Sequence, residues 1–167
     1  MPKHFQLPSL VILAMLGASL LPLTAHAQNL TAEQGRAAVA PFYDALNAAL
    51  GKDAAALVMQ ATTADWVSCS GQDDCKPLEK VVPMIAGFGK AIPDLKWEIK
   101  ELLTSGNRVI VRGEASGTPA GAFMGVPHGG KSFRIMSIDI HTVENGKLTR
   151  AYHVEDWMSA VRQLSSK

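Results

Sequence analysis

The stretch Ser137–Trp157, SIDIHTVENGKLTRAYHVEDW, decides the fold. Two runs of β-branched and apolar residues flank Glu144-Asn145-Gly146, and Asn-Gly between such runs is a strong hairpin signal. The turn fixes which side chains share a face. A two-residue Asn145-Gly146 turn pairs Glu144 with Lys147 and sends Asp139 and His153 to opposite faces. A three-residue loop with Gly146 left-handed pairs Val143 with Lys147 and Ser137 with His153, and sets Asp139 opposite Ala151, one diagonal step from His153. That register gathers Ser137, Asp139, His141, Ala151, His153 and Glu155 on one face and Ile138, Ile140, Leu148, Tyr152 and Val154 on the other. It separates polar from apolar side chains cleanly and is the register expected here.

A polar face of this kind has two readings. It can be the solvated side of an antiparallel sheet, which is common. It can also be concave and covered by helices, so that Asp139 and His153 meet inside a cavity, where a carboxylate orients an imidazole and favours its protonated form.

Working outward, LKWEIKELL and RVIVRGEAS alternate apolar and charged residues around SGN and form a second hairpin. The Gly/Pro-rich segment GTPAGAFMGVPHGGK joins the two hairpins. Upstream, TAEQ at Thr31–Gln34 has the form of a capping box. Apolar residues follow at helical spacing at Val39, Phe42, Tyr43, Leu46 and Leu50; Pro41 is expected to kink this helix and Gly51 to end it. A short helix is expected over Asp53–Gln60. DWVSC reads as a short strand, and PLEKVVPMIAGFGKAI as a helix up to Gly87 and Gly89. Those glycines lack the third Gly and the preceding strand of a dinucleotide fingerprint. WMSAVRQL suits a closing helix, which Asp156 could cap. Helices followed by a four-strand meander define an α+β fold with the helices on one sheet face.

The N-terminus reads as an address. The apolar run Leu10–Leu23, broken by Pro22, is shorter than the ~20 residues of a membrane span. Ala25-His26-Ala27 has the small-x-small form that signal peptidase cuts after. Removing residues 1–27 from 167 leaves 140, one domain with a sizeable core, beginning at Gln28 in the periplasm or outside the cell. Lys3 is the only Lys, Arg, Asp or Glu of the leader, so the processed chain balances 15 basic against 15 acidic residues. With no basic stretch, the balance argues against a nucleic-acid partner and equally against an anionic membrane surface. Cys69 and Cys75 lie in the polar loop WVSCSGQDDCKP and are expected to pair in an oxidising compartment; their spacing does not fit a structural zinc site. No cofactor or metal is called for, since no tight ligand motif, phosphate loop or nucleophile elbow occurs.

The segments PFYDALNAAL, ADWVS, IPDLKWEIKELLTSGNRVIVRGEASGT, GAFMGVPHGGK, DIHTVENGKLTRAYHVED and RQL cover nearly all of the processed chain. They resemble the SnoaL-like polyketide cyclases of the nuclear transport factor 2-like superfamily. The resemblance implies a cone-shaped α+β fold: a curved antiparallel sheet wrapped by N-terminal helices around a cavity. It also implies acid/base chemistry in an intramolecular aldol ring closure, carried by an acidic residue paired with a His. Matched through the hairpin, the family's acidic position holds His153 and its His position holds Asp139, so the two types are exchanged. On this reading His153 and Asp139 are catalytic, and Tyr43, Trp66, Ser68, Trp97, Ser137 and His141 line a pocket for a small apolar or carbonyl-containing molecule. Three functions stay open at this point: a cyclase- or isomerase-type enzyme, a non-catalytic module that captures the same ligand, and an interaction domain that dimerises through its sheet.

Overall fold

The structure, a computed structural model, describes residues 29–47 and 51–166. The leader, its cleavage point and Leu50 lie outside the described residues. Helices α1 (Ala32–Leu46) and α2 (Ala54–Ala61) lead into strands β1 (Thr62–Cys69) and β2 (Cys75–Pro77), then helix α3 (Leu78–Ala91). The long strands β3 (Lys96–Ser105), β4 (Arg108–Gly117), β5 (Phe133–Glu144) and β6 (Lys147–Glu155) follow, and α4 (Trp157–Ser165) closes the chain. None of the described helices is long and apolar enough to cross a membrane.

The expected four-strand meander is the larger part of a six-stranded sheet, ordered β2-β1-β6-β5-β4-β3. The addition comes from β1, which is longer than DWVSC and pairs with β6 in parallel, and from β2 at its outer edge. The Cys69–Cys75 disulfide forms as expected and ties β1 to its antiparallel partner β2.

Each helix end has a chemical cause. Thr31 and Gln34 form the capping box, Thr31 Oγ1 accepting from Gln34 N–H and Gln34 Oε1 from Thr31 N–H. Helix α1 runs unbroken through Pro41 and stops at Leu46, ahead of Gly51. The stop is Asn47, whose amide donates to the carbonyls of Tyr43 and Trp97 and accepts from Trp97 N–H, fastening the helix end to β3. Asp53 and Asp156 cap α2 and α4 by accepting from Ala56 and Ser159 N–H. Helix α3 continues through Gly87 and Gly89 to Ala91, because Phe88 between them stacks on Trp157 (ring centres 5.9 Å apart) and tertiary packing overrides weak local propensity.

The decisive hairpin differs from its expected register. Asn145 and Gly146 both have positive φ, 50° and 76°, so the turn has two residues and Glu144 pairs with Lys147. Val143 then pairs with Leu148 but Thr142 with Arg150, leaving Thr149 as an unpaired bulge. Beyond it Asp139 lies directly opposite His153, and Ser137 opposite Glu155.

Helix α1 lies over β3 and β4, where Gly35 lets the chains approach: a Cβ there would meet Thr104 Cγ2 at 2.8 Å. The helices cover the polar face of the sheet. The opposite face carries Leu103, Met136, Ile140, Tyr152 and Val154 exposed to solvent.

Candidate active site

Strand β5 places Ser137, Asp139 and His141 on the covered face, where they are 1%, 5% and 0% exposed. Burying such groups costs several kcal/mol unless they are paired, on the order of 2–7 for a hydroxyl. The pairing is supplied by α1 and β3. Tyr43 Oη donates to Asp139 Oδ2 at 2.9 Å, and Ser137 Oγ donates to the same oxygen at 3.3 Å. Trp97 Nε1 donates to Ser137 Oγ at 3.3 Å, in space kept open by Gly113, where a Cβ would stand 2.5 Å from that hydroxyl. Tyr43 spends its proton on Asp139, so its 3.3 Å contact with His141 Nε2 requires the ring to carry its proton there. His141 Nδ1 has no partner among the described residues. Asp139 is thus held from behind through Oδ2, while Oδ1 has no donor among the described residues; the side chain lines a cavity.

Opposite, β6 presents His153. Its Nδ1 lies 2.7 Å from Glu155 Oε1, and Trp157 Nε1 donates to Glu155 Oε2 at 3.3 Å. Glu155, two residues along the strand, therefore orients the imidazole, the role expected of Asp139. The cavity between the two groups encloses about 310 Å³. Phe42, Leu46, Val81, Met84, Ile85 and Phe88 from α1 and α3 form its apolar wall, with Trp97, Ala151 and Trp157; Ser68, Ser70 and Lys76 line the β1–β2 end.

The electrostatics follow from burial and neighbours. Burial lifts the Asp139 carboxyl to about 6; the Tyr43 hydrogen bond opposes this, and the Glu155 charge adds to it. Burial pulls the His153 imidazole down, but the Glu155 hydrogen bond and charge, with the charge of Asp139, outweigh it and hold the ring above its ordinary value. Burial drives His141 down to about 3, helped by the charge of His153, so this ring is neutral. Burial and Asp139 push the Tyr43 phenol far above its ordinary range. One carboxylate and one imidazole are left to exchange protons near neutral pH.

The residues expected from sequence divide into three groups. Asp139, His153, Ser68 and Trp97 line the cavity. Tyr43 and Ser137 stand behind Asp139 and donate to it, and His141 contacts Tyr43 in turn. Trp66 is fully buried against Phe42 and lies off the cavity wall, where it fills the core. Glu155, Lys76, Trp157 and the α3 wall were missed. Of these, Glu155 had a signal, since residues i and i+2 of a strand share a face. Asp139, His153 and Glu155 each offer a ligand atom within 4.8 Å of the others and could hold a cation. In the observed geometry Glu155 is committed to His153 Nδ1, the arrangement of a carboxylate that supports an imidazole.

Fold and site together define an α+β protein whose curved sheet presents a buried carboxylate and an imidazole to an apolar cavity. A family model for the SnoaL-like polyketide cyclases matches residues 37–164, and the chain belongs to that family. Among solved structures it is similar to a protein of Jannaschia sp. CCS1 assigned as a SnoaL-like polyketide cyclase (TM-score 0.71, 17% identity, covering 84% of this chain and 99% of that one). It is also similar to IdmH of Streptomyces antibioticus, assigned as a polyketide cyclase (TM-score 0.69, 21% identity, 78% and 98% covered). A third is AclR of Streptomyces galilaeus, assigned as a hydroxylase (TM-score 0.69, 22% identity, 82% and 84% covered). No curated protein matches the chain by sequence.

Proposed function

We propose that this protein is an exported acid/base enzyme that closes a ring in, or isomerises, a small carbonyl compound with an apolar body. The observation that carries this reading is the pair Asp139 and His153, directly opposed across β5 and β6 and both lining one apolar cavity. The fold is shared by proteins assigned to different reactions, so the site supplies the argument. Asp139 Oδ1 takes a proton from the carbon next to a carbonyl. The C–H pair becomes a C=C bond and the carbonyl π pair moves onto oxygen. The enolate carbon then attacks a second carbonyl of the same molecule, whose oxygen takes the proton of His153. Such positioned proton transfers typically contribute 10²–10⁴-fold.

The test is incubation of the processed protein with a linear aryl 1,3-diketone that carries a further, third ketone. Ring closure yields a cyclic isomer of unchanged mass that elutes separately. Binding without any conversion would leave ligand capture as the function.

Export is supported by the Ala25-His26-Ala27 pattern and by the Cys69–Cys75 disulfide, which suits an oxidising compartment. Sequencing of the exported protein should begin at Gln28, and an intact Met1 start in that fraction would defeat the proposal.

The exposed apolar sheet face supports a homodimer as a second role for the same fold. Val154 (61% exposed), Met136 and Ile140 sit beside the paired charges Glu101–Arg112 and Glu114–Lys100, so the surface can complement a second copy of itself. Light scattering should give twice the mass of the processed chain, and Val154→Asp with Ile140→Asp should reduce it to one. A monomeric wild type would reject this.

A further inference from the structure

The proton transfer above leaves a negative charge on the oxygen of the carbonyl whose neighbouring carbon is deprotonated. In a cavity walled by Phe, Leu, Ile and Met that charge needs hydrogen-bond donors already in place. Most donors lining the cavity are committed. Trp97 Nε1 serves Ser137, Trp157 Nε1 serves Glu155, and Ser70 Oγ donates to Asp74 Oδ2 at 2.6 Å. His153 is the acid for the other carbonyl. Two donors remain. Ser68 is 7% exposed, lines the cavity, and its hydroxyl has no partner among the described residues. Lys76, the only Lys or Arg on the cavity wall among the described residues, gives one N–H to Asp74 and keeps two.

These two side chains are register partners. Ser68 on β1 pairs with Lys76 on β2, and on its other side with Ala151 on β6, two residues before His153. The disulfide joins the adjacent pair, Cys69 and Cys75, and fixes the height of Lys76 beside Ser68. Asp74 holds both Ser70 and Lys76 from the solvent side. The charge of Lys76 disfavours protonation of His153, which lines the same cavity.

We propose that Ser68 and Lys76 form an oxyanion-holding β1–β2 end of the cavity, which grips the enolate oxygen. This rests on the proton-transfer reading above and adds to it the class of ligand: an apolar body with one oxygen that is anionic, or becomes so. The ammonium meets the new charge and the Ser68 O–H donates alongside it, with no further reactant.

The test uses 4-nitrophenolate as a stable oxyanion and 4-nitroanisole as its neutral counterpart, and it needs no turnover. Wild-type protein at pH 8 should bind the phenolate at least tenfold more tightly than the anisole. Lys76→Met should remove most of that preference and leave anisole affinity unchanged, Ser68→Ala should remove part, and Lys76→Arg should retain part. Asp74→Asn separates this role from a structural one: it should leave the preference in place, because it frees an N–H of Lys76. Equal binding of both probes by wild type would overturn the proposal. So would a Lys76→Met variant that keeps the preference, or Asp74→Asn losing it as fully as Lys76→Met. If the diketone is not cyclised but the phenolate preference follows Lys76, the donor end stands and the proton-transfer reading falls.

Discussion

Asp139→Asn is expected to raise thermal stability above pH 6 while removing turnover. Burial lifts the carboxyl from 3.8 to about 6, so its ionisation in the folded protein costs on the order of 3 kcal/mol. Below about pH 4 the group is protonated in both folded and unfolded chains and costs nothing. Between about 4 and 6 the unfolded chain gives up the proton while the folded one keeps it, and stability falls as pH rises. Above about 6 the whole cost is present. Asparagine cannot ionise, and its amide oxygen can accept the Tyr43 and Ser137 hydrogen bonds that now end on Oδ2. The variant should therefore melt several degrees higher than wild type at pH 8 and at nearly the same temperature at pH 3.5. Turnover should fall roughly 10²–10⁴-fold with the loss of the base. Thermal unfolding of both proteins at the two pH values checks the first part. An equal gain at both would show that the benefit is not the removed charge.

Such a costly carboxylate was legible in the sequence for a reason that outlived an error in detail. The three-residue loop expected at Glu144–Gly146 is a two-residue turn, which by itself would have put Asp139 and His153 on opposite faces. The bulge at Thr149 restores the count by one residue, and side-chain direction in a strand depends only on parity. The same six positions, five of them polar, therefore share a face. Its burial was the undecided part. Alternation alone cannot say which face of a sheet the helices cover, and the polar side is the covered one here, with Met136, Ile140 and Val154 facing water. The parallel pairing of β1 with β6 joins segments some eighty residues apart and leaves no local pattern. The same holds for Lys76, which reaches the cavity only because β2 extends that sheet. His153 stands out because imidazole and carboxylate alternate along β6, yet the carboxylate bonded to its Nδ1 lies two residues along its own strand and not across the hairpin.

That partner governs the second large effect. Turnover should follow a bell-shaped pH profile whose acid limb lies near 6, where Asp139 becomes a base, and whose alkaline limb lies above the ordinary imidazole value of 6.5. The two groups influence each other, so the limbs belong to the pair. His153→Ala should lower turnover at least a hundredfold and abolish the alkaline limb, with the fold intact, because the ring lines a cavity and fills no core space. Glu155→Gln makes a sharper claim. The Glu155 charge raises both Asp139 and His153, so its removal should move both limbs of the bell toward lower pH. A purely structural Glu155 would lower the height of the profile and leave its limbs where they were. A profile measured from pH 4.5 to 9 for wild type and Glu155→Gln decides between them, and unmoved limbs would remove Glu155 from the proton-transfer machinery. If His153→Ala turns over as fast as wild type, the imidazole is no acid at all.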